Sequence, residues 1–290
     1  MREDTIEALQ ERCERLRQEA TQIRKALSTV IIGQGEIVEG LLIALFARGH
    51  VLMEGTVGLG KTLLVKALGK ILGITTARIQ FTPDLQPGDI LGSDILIEGD
   101  KGSPRMEFRQ GPIFAHLVLA DEVNRASPRT QSALLEAMEE RQVTTFRKTR
   151  PLEEPFVVVA TQNQVEMEGT YPLPESQKDR FMMMLRLLPP DREELKEILD
   201  IRPERALPNL PALLSPEVIR DLIEVVEQIL VPEEVKEVVV DLILATVRRE
   251  GPAAAVRVGA SPRAGQALLR ACQARALLRG RYNVATEDVE

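Results

Sequence analysis

Residues 55–62, Gly55-Thr56-Val57-Gly58-Leu59-Gly60-Lys61-Thr62, constrain this chain more than any other segment. They read G-x-x-x-x-G-K-T. Glycine at the fixed positions lets backbone N–H groups turn inward and close on phosphate oxygens with no Cβ in the way. Lys61 places a point charge on the outer phosphates, and the Thr62 hydroxyl is a hard oxygen ligand for Mg²⁺. The apolar run His50-Val51-Leu52-Met53 comes just before and suits a buried parallel strand. Leu63, Leu64, Ala67, Leu68 and Leu72 follow at helical spacing, and Gly73 stops the pattern. Strand, loop and helix in that order commit this part of the chain to an α/β phosphate-binding unit. The helix N-terminus lies beneath the phosphates and adds partial positive charge.

The rest of the chain supplies the partners such a unit needs. Ala77-Arg78-Ile79-Gln80-Phe81, Leu117-Val118-Leu119-Ala120, Phe156-Val157-Val158-Val159-Ala160 and Phe181-Met182-Met183-Met184-Leu185 read as further short strands. Helical patterns separate them, so the expected fold is α/β, a five-stranded parallel sheet covered on both faces. Ahead of the sheet, Ile6, Leu9, Cys13, Leu16, Ala20, Ile23 and Leu27 form one apolar seam, a helix packed on its own domain. Val30-Ile31-Ile32-Gly33-Gln34 reads as an extended segment, followed by an amphipathic helix through about Phe46. Ser127-Pro128 caps a helix that buries Leu134, Leu135 and Met138. Residues 82–92 are rich in turn formers.

Two short, half-polar hairpins are expected to project from this core, near 94–108 and 142–155. The second carries the basic stretch Arg147-Lys148-Thr149-Arg150. After Pro189-Pro190-Asp191 the chain becomes all helical, which sets the expected boundary between a sheet domain (1–188) and a smaller helical domain (189–290). Thr286-Glu287-Asp288 reads as the start of a last helix that the chain cuts short.

Composition excludes several function classes. A net charge of −7 argues against nucleic-acid binding through bulk charge. Cys13 and Cys272 lie far apart in sequence without metal-ligand spacing and read as free thiols in a reducing compartment; His50 and His116 have no neighbouring ligand residues. No apolar run reaches membrane-spanning length, and the N-terminus is charged rather than signal-like, so no membrane insertion and a cytoplasmic location are expected.

Hydrolysis needs a metal, an oriented water and charge to meet the transition state. Asp121-Glu122 ends an apolar strand downstream of the phosphate loop. Asp121 is placed to hold Mg²⁺ through its water shell, and Glu122 to polarise the attacking water. Asn163 ends the neighbouring strand, and its amide both donates and accepts, as fixing a water requires.

Taken together, these segments resemble the AAA+ ATPase superfamily and, within it, the MoxR family. The resemblance is carried by Val30-Ile31-Ile32-Gly33-Gln34, the phosphate loop, Phe81-Thr82-Pro83-Asp84-Leu85, Ala120-Asp121-Glu122-Val123-Asn124-Arg125-Ala126 and the run Gln131 to Arg141. Glu168 to Glu175, Asp179-Arg180-Phe181 and Ser261-Pro262-Arg263 complete it. One departure is Asn163-Gln164, where relatives often have Asn-Pro.

The resemblance implies roles that spacing alone does not. ATP would be held by Gly55, Thr56, Val57, Gly58, Leu59, Gly60, Lys61, Thr62 and Leu63, with Ile32 and Gly33 flanking it. Mg²⁺ would be held by Thr62 and Asp121. The catalytic set would be Glu122, Asn163 (sensor 1), Arg180 (arginine finger) and Arg263 (sensor 2, acting in cis or in trans), with Arg125 and Arg186 as rival fingers. The resemblance also implies a homo-oligomer, a six-membered ring. Its partners would be a protein client matured in a chaperone-like way and a von Willebrand factor A-type protein. Two rival readings stand beside it: a nucleic-acid-stimulated motor, with Arg147, Lys148 and Arg150 lining a DNA-facing hairpin, and a nucleotide-gated scaffold that rarely turns over.

Overall fold

The computed structural model describes residues 3–56, 58–98, 104–145, 148–163 and 169–289; for residues 3–9 it describes the backbone path only. Val57 of the phosphate loop, both hairpin tips with Phe146 and Arg147, and the Gln164–Glu168 part of the family motifs lie outside them.

The chain opens with α1 (Glu3–Leu27) and α2 (Gly35–Phe46). Strand β1 (Val51–Glu54) leads through the phosphate loop into α3 (Lys61–Ile71), then β2 (Thr76–Gln80) and a short α4 (Pro87–Leu91). A hairpin of β3 (Gly92–Glu98) and β4 (Pro104–Gln110) precedes β5 (Leu117–Asp121) and α5 (Pro128–Glu140). A second hairpin, β6 (Gln142–Thr145) and β7 (Lys148–Pro151), leads to β8 (Val157–Gln162), α6 (Glu175–Lys178) and β9 (Met183–Arg186). Beyond them the chain is helical: α7 (Arg192–Asp200), α8 (Pro203–Ala206), α9 (Pro216–Gln228), α10 (Glu233–Arg248) and α11 (Pro262–Leu278).

β2, β5, β8, β1 and β9 form one five-stranded sheet in that order, with every pairing parallel. Alternate residues face opposite sides, as the pleat requires. Leu117, Leu119, Val157, Val159, Val51 and Met53 join the core beneath α1, α2 and α3. Leu52, Val118, Ala120, Val158 and Ala160 join the core beneath α5, where Leu134, Leu135 and Met138 are buried as expected. The Ser127 hydroxyl accepts from the Thr130 N–H, and Pro128 occupies the first turn.

Three readings change. α2 is not amphipathic: apart from Glu39, every residue from Ile37 to Phe46 is buried, because α9, α11 and β9 enclose it. Residues 87–91, expected as turn, form α4, with Pro87 in its first turn and the Asp89 carboxylate accepting from the Gln86 N–H at 2.9 Å. The α1 seam is buried from Cys13 to Leu27, yet it packs on α11 of the helical region as well as on α3. Residues 286–288 form a single tight turn, with the buried Asp288 clasped by Arg281. Both cysteines are free and buried. No described helix is long and apolar enough to cross a membrane.

A candidate ATP site at the carboxyl ends of β1, β5 and β8

Parallel register brings three strand ends together. Glu54 of β1 pairs with Gln162 of β8, and Ala120 of β5 pairs with Ala160 of β8. The phosphate loop, Asp121-Glu122 and Asn163 therefore leave adjacent strands on the same edge, the usual ligand crevice of an open α/β sheet.

The loop joins β1 to α3 in the expected strand–loop–helix order. Gly58 and Gly60 adopt positive φ of 90° and 77°, a region that side chains penalise. Among the described residues nothing lies within 4 Å of a Cβ built at either. The Lys61 ammonium donates to the Gly55 carbonyl at 2.7 Å, which folds the lysine back over its own loop. Burial lowers its pKa, while Asp121 and Glu122 pull it back up. An ammonium desolvated this way gains from any anion that enters beside it.

Thr161 organises the acidic pair. Its fully buried hydroxyl donates to Asp121 Oδ1 at 2.6 Å and accepts the Glu122 N–H at 2.9 Å. Arg78 holds the other Asp121 oxygen, Oδ2, with Nε at 3.1 Å and a terminal nitrogen at 2.7 Å. Glu122 adopts φ 61°, ψ 49°, a left-handed conformation costing roughly 1–2 kcal/mol outside glycine. That turn swings its carboxylate out of the strand line, where Gln80 Nε2 donates to it at 2.8 Å and Arg125 pairs with it at 3.2 Å. Arg125, a rival finger from the sequence, thus contacts a glutamate of its own chain. The other rival, Arg186, lies 4.0 Å from Glu54.

Beside the loop a cavity of about 290 Å³ is lined by Ile32, Gly33, Gln34, Gly58, Leu59, Gly60 and Leu63, and on the far side by Leu195 and Ile198 of α7. Gln34 Nε2 donates to the Leu59 carbonyl at 3.1 Å, whereas its Oε1 is buried with no partner. An apolar slot with one buried acceptor fits the flat face and exocyclic amine of adenine. Gly33 suits this position because its φ of +71° is a conformation that side chains penalise. The donor set for the metal also fits: Thr62 and Asp121 offer the oxygen ligands Mg²⁺ prefers.

Arg180 and Arg263 do not join this crevice. Both lie at a second cavity of about 230 Å³, lined also by Met138 and Glu139 of α5 and by Gln266 and Ala267 near the start of α11. Arg180 pairs with Glu139 at 3.1 Å and Arg263 with the same carboxylate at 2.6 Å. Asp179, a conceivable partner for Arg180, instead accepts from the Ser261 hydroxyl at 2.8 and 3.0 Å.

Sequence reasoning missed Thr161, Gln34, Gln80, Arg78 and Glu139. Only one signal was available for Thr161: a hydroxyl in the last positions of an otherwise apolar strand, next to the acidic strand end.

Residues 50–183 match the family described as "ATPase family associated with various cellular activities (AAA)", and residues 249–290 match the AAA lid domain. The chain is 42% identical over 267 residues to Chaperone MoxR1 of Mycobacterium tuberculosis, covering 90% of this chain and 69% of that one. It is 32% identical over 294 residues to Protein MoxR of Methylorubrum extorquens, covering 94% and 84%. This chain belongs to the MoxR family of AAA+ ATPases. YeaC of Bacillus subtilis, which carries no functional name, is 44% identical to this MoxR-family chain over 266 residues, covering 91% and 81%. A crystal structure of a candidate ATPase from Cytophaga hutchinsonii superposes with a TM-score of 0.87 at 36% identity, covering 98% of the MoxR-family chain described here and 87% of its own.

Proposed function

We propose that this protein hydrolyses ATP with Mg²⁺ at the junctions of a homo-oligomeric ring and uses the cycle to remodel a protein client. The observation that carries this reading is the meeting of Lys61, Asp121 and Glu122 at one sheet edge, with the part-buried Lys61 ammonium hydrogen-bonded back to the Gly55 carbonyl of its own loop. Bound Mg²⁺, held through Thr62 and Asp121, would neutralise charge on the phosphate oxygens. Glu122 orients the attacking water and takes up its proton, and Asn163 holds that water from the neighbouring strand end. Lys61 and the N-terminus of α3 stabilise the phosphates.

Arg180 and Arg263 support the ring. Within one subunit they lie at a cavity lined by neither the phosphate loop nor Glu122. A guanidinium is always charged and forks onto phosphate oxygens, so the role that suits both is completing the neighbour's site. A six-membered ring, a von Willebrand factor A-type partner and a cytoplasmic location follow the family resemblance; the chaperone role follows the name of the Mycobacterium tuberculosis relative.

The nucleic-acid reading loses one of its residues. Arg150 is engaged inside the protein, over Phe108 and 3.7 Å from Asp94.

The test is turnover of Glu122→Gln. It is expected to bind ATP and assemble while hydrolysis falls by about two orders of magnitude or more. Turnover near that of the unaltered protein would remove Glu122 from the mechanism.

A further inference from the structure

Glu139 stands one residue before the C-terminal end of α5, with its carboxylate over the second cavity. Its two oxygens are divided between two elements. Oε1 accepts from Arg263, in the first turn of α11, at 2.6 Å, and Oε2 meets Arg180, in the loop between α6 and β9, at 3.1 Å. For each arginine it is the one carboxylate partner among the described residues.

The surroundings are strongly positive. Arg141 and Arg270 line the same cavity, as does Arg48. Arg48 is neutralised by Glu154, with Glu227 at 3.5 Å, whereas Arg141 is satisfied by the carbonyls of Arg48 and Phe156 and carries its charge inward. Asp179 also lines the cavity and keeps its negative charge, but both its oxygens face the Ser261 hydroxyl and it pairs with neither arginine. Without Glu139, the Arg180 and Arg263 guanidinium groups would repel each other in a field already rich in arginine.

All three side chains are partly solvated, with relative exposures of 32% for Arg180, 36% for Glu139 and 48% for Arg263. Ion pairs this exposed contribute little to stability. What the triad supplies is geometry. Two guanidinium groups are gathered on the two oxygens of one carboxylate. Each has five N–H donors and spends few of them on Glu139, so the rest stay available to an incoming anion.

We propose that Glu139 is a positioning residue, gathering Arg180 of the sheet domain and Arg263 of the helical domain into one unit that engages the γ-phosphate of a neighbouring subunit's ATP. The inference rests on the reading, given above, that both arginines act in trans. It adds that they act together, and through Glu139.

The test uses mixed assemblies of the full chain. Lys61→Ala subunits bind no ATP but present arginines; Arg180→Ala subunits bind ATP but present no finger. Mixing them restores turnover at the junctions where one completes the other. Adding Glu139→Gln to the Lys61→Ala subunits is expected to cut the restored kcat about tenfold, with KM for ATP within about twofold, as a misplaced catalytic group does. Adding it to the Arg180→Ala subunits is expected to change little, because their arginine unit is already broken. Thermal melting of each subunit type checks that the Gln side chain is tolerated. Equal loss from either placement, or no loss from both, overturns the proposal and leaves the trans reading standing. No restored turnover in the parent mixture overturns the trans reading and the proposal with it.

Discussion

The Thr161 hydroxyl stands 2.6 Å from Asp121 Oδ1 and 2.9 Å from the Glu122 backbone nitrogen. One buried side chain thus fixes both the Asp121 carboxylate and the left-handed turn at Glu122. Thr161→Val keeps the shape and deletes the hydroxyl. It leaves a buried N–H without a partner, which costs about 1–3 kcal/mol. Chemical denaturation is expected to show that loss, and kcat to fall about tenfold or more with ATP affinity nearly unchanged. Full turnover would show that Glu122 keeps its turn without Thr161.

His50 gives the fold a pH dependence. Its Nδ1 accepts from the Val158 N–H at 2.9 Å, so its Nε2 carries the proton and faces the Met138 carbonyl at 3.0 Å. Complete burial, helped by the nearby Arg141 charge, pushes its pKa down from 6.5 to about 3. The unfolded chain therefore binds this proton more readily than the fold. Stability from His50 is fully present above pH 6.5 and is lost as pH falls from there toward 3, with a slope approaching about 1.4 kcal/mol per pH unit. Urea midpoints between pH 7 and 5, above most carboxylate titration, are expected to fall for the unaltered protein. They should fall less for His50→Phe, which starts about 1–3 kcal/mol lower because Val158 and Met138 lose their partner.

Gly60 tests the loop without a steric clash. Its φ is +77° and, among the described residues, nothing lies within 4 Å of an added Cβ, so Gly60→Ala costs mainly backbone strain, about 1 kcal/mol. Circular dichroism is expected to show a folded protein melting a few degrees lower. Calorimetry is expected to show ATP affinity weakened at least tenfold. Unchanged affinity would mean that the phosphates are not held by this turn.

The two hairpins are joined through Arg150. Its guanidinium lies 3.6 Å over the Phe108 ring and 3.7 Å from Asp94, both on the first hairpin, while it also donates to Thr145 on its own. A half-buried contact of this kind contributes about 1 kcal/mol, enough to couple two short arms without stabilising the whole fold. Arg150→Ala is expected to leave the melting temperature within about 2 °C. Hydrogen exchange should rise in both β3–β4 and β6–β7. Faster exchange confined to β6–β7 would show that the hairpins are independent.

What the sequence made legible was what local pattern encodes. The five short strands, the Ser127 cap and both hairpins each announce themselves within a dozen residues, and each stands where it is expected. What stayed hidden depends on distant chain. The polar faces expected on α2 are absent because α9, α11 and β9 surround it, and those elements lie far away in sequence. α4 was masked by Pro87, which reads equally as turn former or helix opener. Glu139 looked like one more charge in an acidic run; only the meeting of α5 with residues 180 and 263 shows what its carboxylate holds. Arg263 was expected at a γ-phosphate, and the fold places it away from its own loop, at a surface a neighbour could use.

The central claim is that the triphosphate lies between subunits, cradled by one and completed by the next. Its most direct test is a structure of the Glu122→Gln assembly with ATP and Mg²⁺. The account predicts nucleotide on Gly58, Gly60 and Lys61 of one subunit, with Arg180 and Arg263 of the adjacent subunit turned onto its γ-phosphate. Nucleotide bound elsewhere, or a loaded site whose γ-phosphate meets neither arginine, would contradict it.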